Sequence, residues 1–141
     1  MPRATPQRSG RRPKPGSRFA GQVLADNVRS YRQLRRLTQA DLARIMRALG
    51  HDWADDVVGF LERGRRNATV DELVGLTVAL SVGQVGRLLD PSGVGPNDPT
   101  ASDLDYGGVE VLDRDAAHRW LSSATNFGLF WPPLEEKGER A

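Results

Sequence analysis

The N-terminal stretch carries basic side chains with no acidic neighbours, a pattern that could bind phosphate. Residues 1–18 hold six basic residues and no acidic one. Lys and Arg neutralise phosphates, and that neutralisation supplies most non-specific affinity for nucleic acid. The stretch is otherwise rich in Pro, Gly and Ser, so we expect it to be disordered when free. It predicts a DNA-contacting arm, or alternatively a solubilising tail, with the candidate residues Arg8, Arg11, Arg12, Lys14 and Arg18.

Other kinds of chemistry find little support in the sequence. The two histidines, His51 and His118, stand in different segments without a metal-spaced partner. Residues 103–110 resemble part of a calcium loop, but the glycine comes one residue early and Arg114 stands where the bidentate acid is required. Neither a glycine-rich phosphate loop nor a serine-based catalytic arrangement is present. We therefore expect no metal, no cofactor, no small-molecule ligand and no enzymatic activity.

The composition is that of a small domain with polar extensions. Its 141 residues are 38% apolar, which is enough for one core. The sequence has no cysteine, which excludes a disulfide framework and suits a reducing cytoplasm. It lacks both the roughly 18-residue apolar run of a membrane span and the apolar segment of a secretory signal. We expect a cytoplasmic protein.

Three helices are predicted between residues 19 and 64. Apolar residues recur every three or four positions from Phe19 to Leu34, which indicates an amphipathic helix. Thr38 stands three residues before Asp41 and predicts a capping box that opens a second helix, ending near Leu49. A third helix is expected from near Asp55 to Gly64. Its predicted buried stripe is Ala54, Val58 and Leu61.

Two further helices complete the predicted body. Thr69 and Glu72 form a second capping box and open a fourth helix, and a short fifth helix runs from Gly83 to Leu89, before a proline. Five helices with short connections predict an all-α bundle. Its predicted core is Leu24, Val28, Tyr31, Leu42, Ile45, Val58, Leu61, Leu73, Leu76, Leu80, Val85 and Leu88.

The composition changes after the body. Residues 1–18 are the arm and 19–90 the helical domain, with ten basic and nine acidic residues. Residues 91–108 are dense in Gly, Pro, Asp and Ser and predict a linker. Residues 109–141 predict a small appendage, with a short strand at Val109 to Leu112 and a helix from Asp113 to Ser123. Its apolar side chains would be unfavourable to expose, which favours docking or dimerisation through Trp120, Leu121, Phe127, Phe130 and Trp131.

The span from Ala25 to Leu89 resembles the helix-turn-helix domain of the xenobiotic-response-element family, the lambda-repressor-like fold. The resemblance rests on four motifs in order: Asn27-Val28-Arg29; Leu37-Thr38-Gln39 with Asp41-Leu42-Ala43; Val58 with Leu61-Glu62-Arg63-Gly64; and Thr69 to Leu80. The longer second helix, and Trp53 before the third, resemble actinobacterial and actinobacteriophage regulators of the immunity-repressor type. The resemblance implies a five-helix DNA-binding domain in a bacterial cell, associated with the nucleoid when bound to DNA.

The resemblance also implies a division of labour among residues. The third helix, about Asp55 to Arg63, would enter the major groove of double-stranded DNA, and the start of the second helix would approach phosphate. The base-facing residues would be Asp55, Asp56, Val57 and Phe60. The backbone contacts would be Thr38, Gln39, Arg65, Arg66 and Asn67. Glu62 and Arg63 are interpreted as braces of the turn, with direct DNA contact by Arg63 as the alternative.

Several residues depart from the family pattern. Arg36 replaces a glycine where a left-handed backbone is common. Asp55 and Asp56 place negative charge near phosphate, although an acid can also accept a hydrogen bond from cytosine N4. Gly59 weakens its helix by roughly 1 kcal/mol relative to alanine. The favoured function is a sequence-specific transcriptional regulator that acts as a repressor; the alternative is a protein-interaction module, antitoxin-like or anti-repressor, on the same scaffold.

Overall fold

The computed structural model describes residues 12–94, 98–106 and 111–122. Within these ranges the chain forms six helices and three short strands. The elements are β1 Ser17–Phe19, α1 Ala20–Leu34, α2 Gln39–Ala48, α3 Val57–Glu62, α4 Val70–Ala79, α5 Val85–Leu88, β2 Asp103–Asp105, β3 Val111–Leu112 and α6 Arg114–Ser122. The chain is mostly helical, as predicted, but the three-stranded sheet means that the described part is not all-α. None of the helices in the described ranges is long and apolar enough to cross a membrane.

The two predicted capping boxes are confirmed. Thr38 Oγ1 accepts a hydrogen bond from the Asp41 amide at 3.0 Å, and the Asp41 carboxylate accepts one from the Thr38 amide at 2.9 Å. Thr69 and Glu72 exchange the same pair of bonds at 3.1 and 2.8 Å. Each box satisfies amides that a helix start otherwise leaves without partners. These local bonds explain why α2 and α4 begin where the sequence predicts.

Arg36, in the connection between α1 and α2, has a strained backbone. Arg36 has φ 59°, which is the left-handed conformation that the family pattern assigns to glycine. A side chain in this region meets its own backbone, at a cost of roughly 1–2 kcal/mol. The tight connection between α1 and α2 is therefore kept without the residue that would form it most easily.

Most of the predicted core is buried, with Ile45 and Leu73 half-buried. Two predictions were wrong. Val85 is 37% exposed at the first position of α5, a single turn in which only Leu88 is buried. Ala54 is exposed, because α3 begins at Val57 and leaves Ala54 outside the helix. Trp53, which the predicted core lacks, is 2% exposed and belongs to the main apolar cluster.

A small sheet joins the two ends of the described chain. β1 pairs in parallel with β2, Ser17 opposite Asp103, and β2 pairs antiparallel with β3. The last two residues of the predicted arm therefore lie in a strand, and another strand lies inside the predicted linker. The physical reason is a second apolar cluster, in which Val23, Leu104 and Ala117 are buried together. Its members stand too far apart in sequence for any local pattern to reveal it.

Candidate nucleic-acid interface

A buried carboxylate ties the first three helices together. The Glu62 side chain is 1% exposed and accepts hydrogen bonds from Arg32 Nε at 2.6 Å and Arg32 Nη2 at 3.0 Å. Gln39 Nε2 donates to it at 3.1 Å, and Arg29 Nη2 donates to the Glu62 carbonyl at 3.1 Å. Charge-assisted bonds of this kind have definite geometry. Glu62 therefore fixes α3 against α1 and against the first residue of α2, and its predicted bracing role is confirmed.

Arg63 does not share that role. No carboxylate in the described ranges lies within ion-pair distance of its guanidinium, which instead stacks 5.3 Å from the centre of the Phe60 ring. Arg63 is exposed and caps the end of α3. Arg63 therefore makes no ion pair that braces the turn, and direct DNA contact by Arg63 stays a prediction.

The predicted base-facing residues differ in exposure. The Asp55 side chain is 69% exposed and forms an ion pair with Arg47 at 3.1 Å. Asp56 is exposed at the start of α3 and Phe60 is 39% exposed. Val57 is half-buried and packs against the main core. Asp55, Asp56 and Phe60 are thus available at the surface, whereas Val57 is partly covered by its own fold.

The residues predicted to contact the DNA backbone also differ, in whether their side chains are already bound within the fold. Arg65 is exposed, and its guanidinium has no partner in the described part of the chain. Arg66 donates to both oxygens of Glu72, at 3.1 and 2.7 Å, and lies 5.4 Å from the centre of the Trp53 ring. Asn67 is exposed, and its carbonyl accepts a bond from Arg66. Of the two arginines, only Arg65 therefore has an uncommitted side chain.

Glu72 is the centre of a second buried network. Its side chain is 9% exposed, and Trp53 Nε1 donates to it at 2.7 Å. Burial alone raises the pKa of this carboxyl, but the hydrogen bonds from Arg66, the Thr69 amide and Trp53 outweigh it and lower the pKa from 4.5 to about 2. Sequence reasoning identified only the cap; neither the Trp53 contact nor the Arg66 pair carries a local signal.

The residues of the predicted arm that the structure describes are partly held by the fold. Arg18 donates to Ser102 Oγ at 2.7 Å and to the Pro91 carbonyl at 3.2 Å, and it pairs with Asp26. The Lys14 amide donates to Asp105 Oδ2 at 3.2 Å. Arg12 is exposed. Arg8 and Arg11 lie outside the described residues.

The predicted docking residues are described only in part. Leu121 is half-buried and packs against the second apolar cluster, and Trp120 is half-buried beside it on α6. The predicted residues Phe127, Phe130 and Trp131 lie outside the described residues. Docking of α6 on the body is therefore observed, and dimerisation stays a prediction.

Both histidines are tied into the fold. His118 Nδ1 lies 2.5 Å from Asp90 Oδ2 and joins α6 to the end of α5. The His51 ring packs against α4, where an ideal Cβ on Gly75 would be 2.6 Å from Nε2. Within the described ranges, no group of three or more His, Asp or Glu side chains is arranged to hold a metal ion.

α2 and α3 are joined by a short connection, and the exposed outer face of α3 lies beside the uncommitted Arg65, which together make a helix-turn-helix arrangement. Over 73 residues, or 52% of its length, the chain is 38% identical to the control protein C.SmaI of Serratia marcescens, and the match covers 80% of that protein. The chain belongs to the helix-turn-helix family of regulators that includes this control protein. At this level its function is DNA-binding regulation of transcription. No protein-family model and no solved structure matches the chain.

Proposed function

We propose that this chain is a sequence-specific repressor of the lambda-repressor-like type that inserts α3 into the major groove of double-stranded DNA. The observation that carries the proposal is the buried Glu62 network, which holds the exposed face of α3 in a fixed position against Gln39 at the start of α2. A fixed helix can meet base edges while neighbouring donors hold phosphate. Occupancy of an operator by such a domain blocks transcription, as in the phage immunity repressors that the sequence resembles.

The two acids on this face are compatible with binding DNA. Asp55 is paired with Arg47, which offsets part of its repulsion of phosphate. Asp56 keeps a carboxylate that can accept from cytosine N4, and Phe60 offers an apolar edge to a thymine methyl group. We expect these two residues to set the sequence preference.

Arg65 gives the direct test of the DNA backbone contacts. In band shifts across a salt series, we expect Arg65→Ala to weaken binding to all sequences equally. The slope of log K against log salt should become shallower by about 0.9, which is the contribution of one phosphate. The preferred site, selected from a random oligonucleotide pool, should stay the same.

Arg66→Ala is the matched variant for Arg65→Ala. It removes a neighbouring positive charge that is already bound to Glu72 within the fold. It leaves Glu72 buried without its arginine, so we expect a lower melting temperature. Salt-insensitive or undetectable binding by the wild-type chain would overturn the proposed function.

We also propose that residues after α6 form a homodimer contact, so that the operator is a palindrome. The support is the apolar run Phe127, Leu129, Phe130 and Trp131, which is unfavourable to leave in water. Sedimentation should give twice the chain mass for the full protein and a single chain mass for residues 1–122, which keep the sheet and α6. An equal number of chains in both would contradict dimerisation by this segment.

A protein-interaction module, antitoxin-like or anti-repressor in kind, is the second candidate function. Three valines one helical turn apart on α4 favour it, since Val70, Val74 and Val78 are 78%, 50% and 61% exposed. Positions i and i+4 share a helix face, and such an apolar stripe suits a protein partner. The same band-shift series separates the two candidates, because a module of this kind shifts no DNA at any salt concentration.

A further inference from the structure

Gly59 lies in the middle of α3 and is buried beneath two polar side chains. An ideal Cβ at this position would be 3.0 Å from Arg63 Nη1 and 3.4 Å from Gln39 Oε1. Both groups therefore lie directly over the glycine, on a helix that has only six residues. A glycine inside so short a helix weakens it, since alanine is the better helix former. A gain elsewhere is needed to explain its presence.

Each of the two side chains that cover Gly59 is held in place by a contact of its own. A carboxylate can only accept hydrogen bonds, so the Gln39 group that faces Glu62 has to be its NH₂. Arg63 folds back over its own helix and rests on the Phe60 ring. That stacking holds the guanidinium in place without using its N–H donors. Arg63 also has no acid partner in the described ranges, so those donors remain available.

We propose that Gly59 is a positioning residue: its lack of a side chain lets Gln39 and Arg63 lie side by side over α3, where Arg63 binds a DNA phosphate next to the one approached by Gln39. The inference rests on the DNA-binding function proposed above. It adds Arg63 to the phosphate contacts and gives Gly59 a role beyond the fold.

The structure indicates that a Cβ at Gly59 would displace the ligand-binding side chain and leave the backbone in place. The nearest atom is the far end of a flexible arginine, and apart from the backbone of α3 itself the three nearest atoms all belong to side chains. The position also needs no left-handed φ, unlike Gly64 at φ 73°. Gly59→Ala should therefore move Arg63 while α3 stays in place.

The test measures stability and DNA binding on the same full-length variants. We expect Gly59→Ala to keep or raise the melting temperature, because alanine favours helix. It should nevertheless weaken binding to every sequence and make the salt slope shallower by about 0.9, like Arg63→Ala. If glycine acts through arginine, the double variant Gly59→Ala/Arg63→Ala should bind no worse than Arg63→Ala alone. In the matched control Gly59→Ala/Arg65→Ala, the two losses should add.

The possible failures are distinguishable. Absence of wild-type binding would overturn the proposed function. Normal wild-type binding with an unchanged slope in Gly59→Ala or Arg63→Ala would overturn only this inference. A melting temperature of Gly59→Ala that falls together with its affinity would mean that the glycine serves the fold, and a changed preference at one base pair in Arg63→Ala would mean that Arg63 reads a base.

Discussion

Replacing Glu62 by alanine should destabilise the protein by about 3–5 kcal/mol, the usual cost of removing one partner from a buried ion pair. The Arg32 side chain is only 12% exposed, so it would keep its charge in a buried place without the carboxylate that offsets it. Gln39 would lose its partner in the same step. Since small domains are stable by about 5–15 kcal/mol, this loss is a large share of the total.

Urea unfolding followed by circular dichroism measures this effect as a lower midpoint with an unchanged slope. Glu62→Gln is the matched control. It keeps the shape and one acceptor oxygen, so a smaller loss is expected. Asp41→Ala tests the alternative that any acid on these helices matters equally; it removes only the carboxylate that caps the start of α2, so a much smaller loss is expected. A loss for Glu62→Ala no larger than that for Asp41→Ala would contradict the central role of Glu62.

The helix starts of this fold could be predicted because their causes are local. A Thr followed three residues later by an acid satisfies its own helix start, and both such pairs, at Thr38 and Thr69, form as expected. Gly64 ends α3 in the left-handed conformation for an equally local reason. The sheet could not be predicted in this way. Ser17 meets Asp103 only because buried residues beneath them bring distant segments together.

In the candidate site, too, the features that depend on contacts between distant segments could not be predicted from the sequence. Arg65 and Arg66 are neighbouring residues of the same type, so the sequence does not distinguish them. In the structure the Arg65 side chain is uncommitted, whereas Arg66 is held by Glu72 and Trp53. Only the packing of α4 against the residues that flank α3 distinguishes the two arginines. Gly59 likewise indicated a weak helix from propensity alone. Its coverage by Gln39 and Arg63 depends on how α2 and α3 meet, which no local pattern records.

Acidification is the second change expected to have a large effect, and it should act through Glu72. The pKa of this carboxyl is about 2 in the folded protein, below its ordinary 4.5. The unfolded chain therefore binds the proton first as pH falls. The stability that Glu72 contributes is complete above about pH 4.5 and is lost between that pH and about 2. The loss should be on the order of 3 kcal/mol.

Glu72→Gln separates this contribution from those of other carboxyls. Asp41 and Asp98 also have lowered pKa values, but they are present in both proteins and cancel in the difference. Urea unfolding of the two proteins should therefore give a large stability gap at pH 7 that narrows steadily as pH falls from 4.5 toward 2. Two parallel pH profiles would contradict the prediction. A converging pair would locate the acid sensitivity of the fold in the Trp53, Glu72 and Arg66 network, next to Arg65, the proposed phosphate contact.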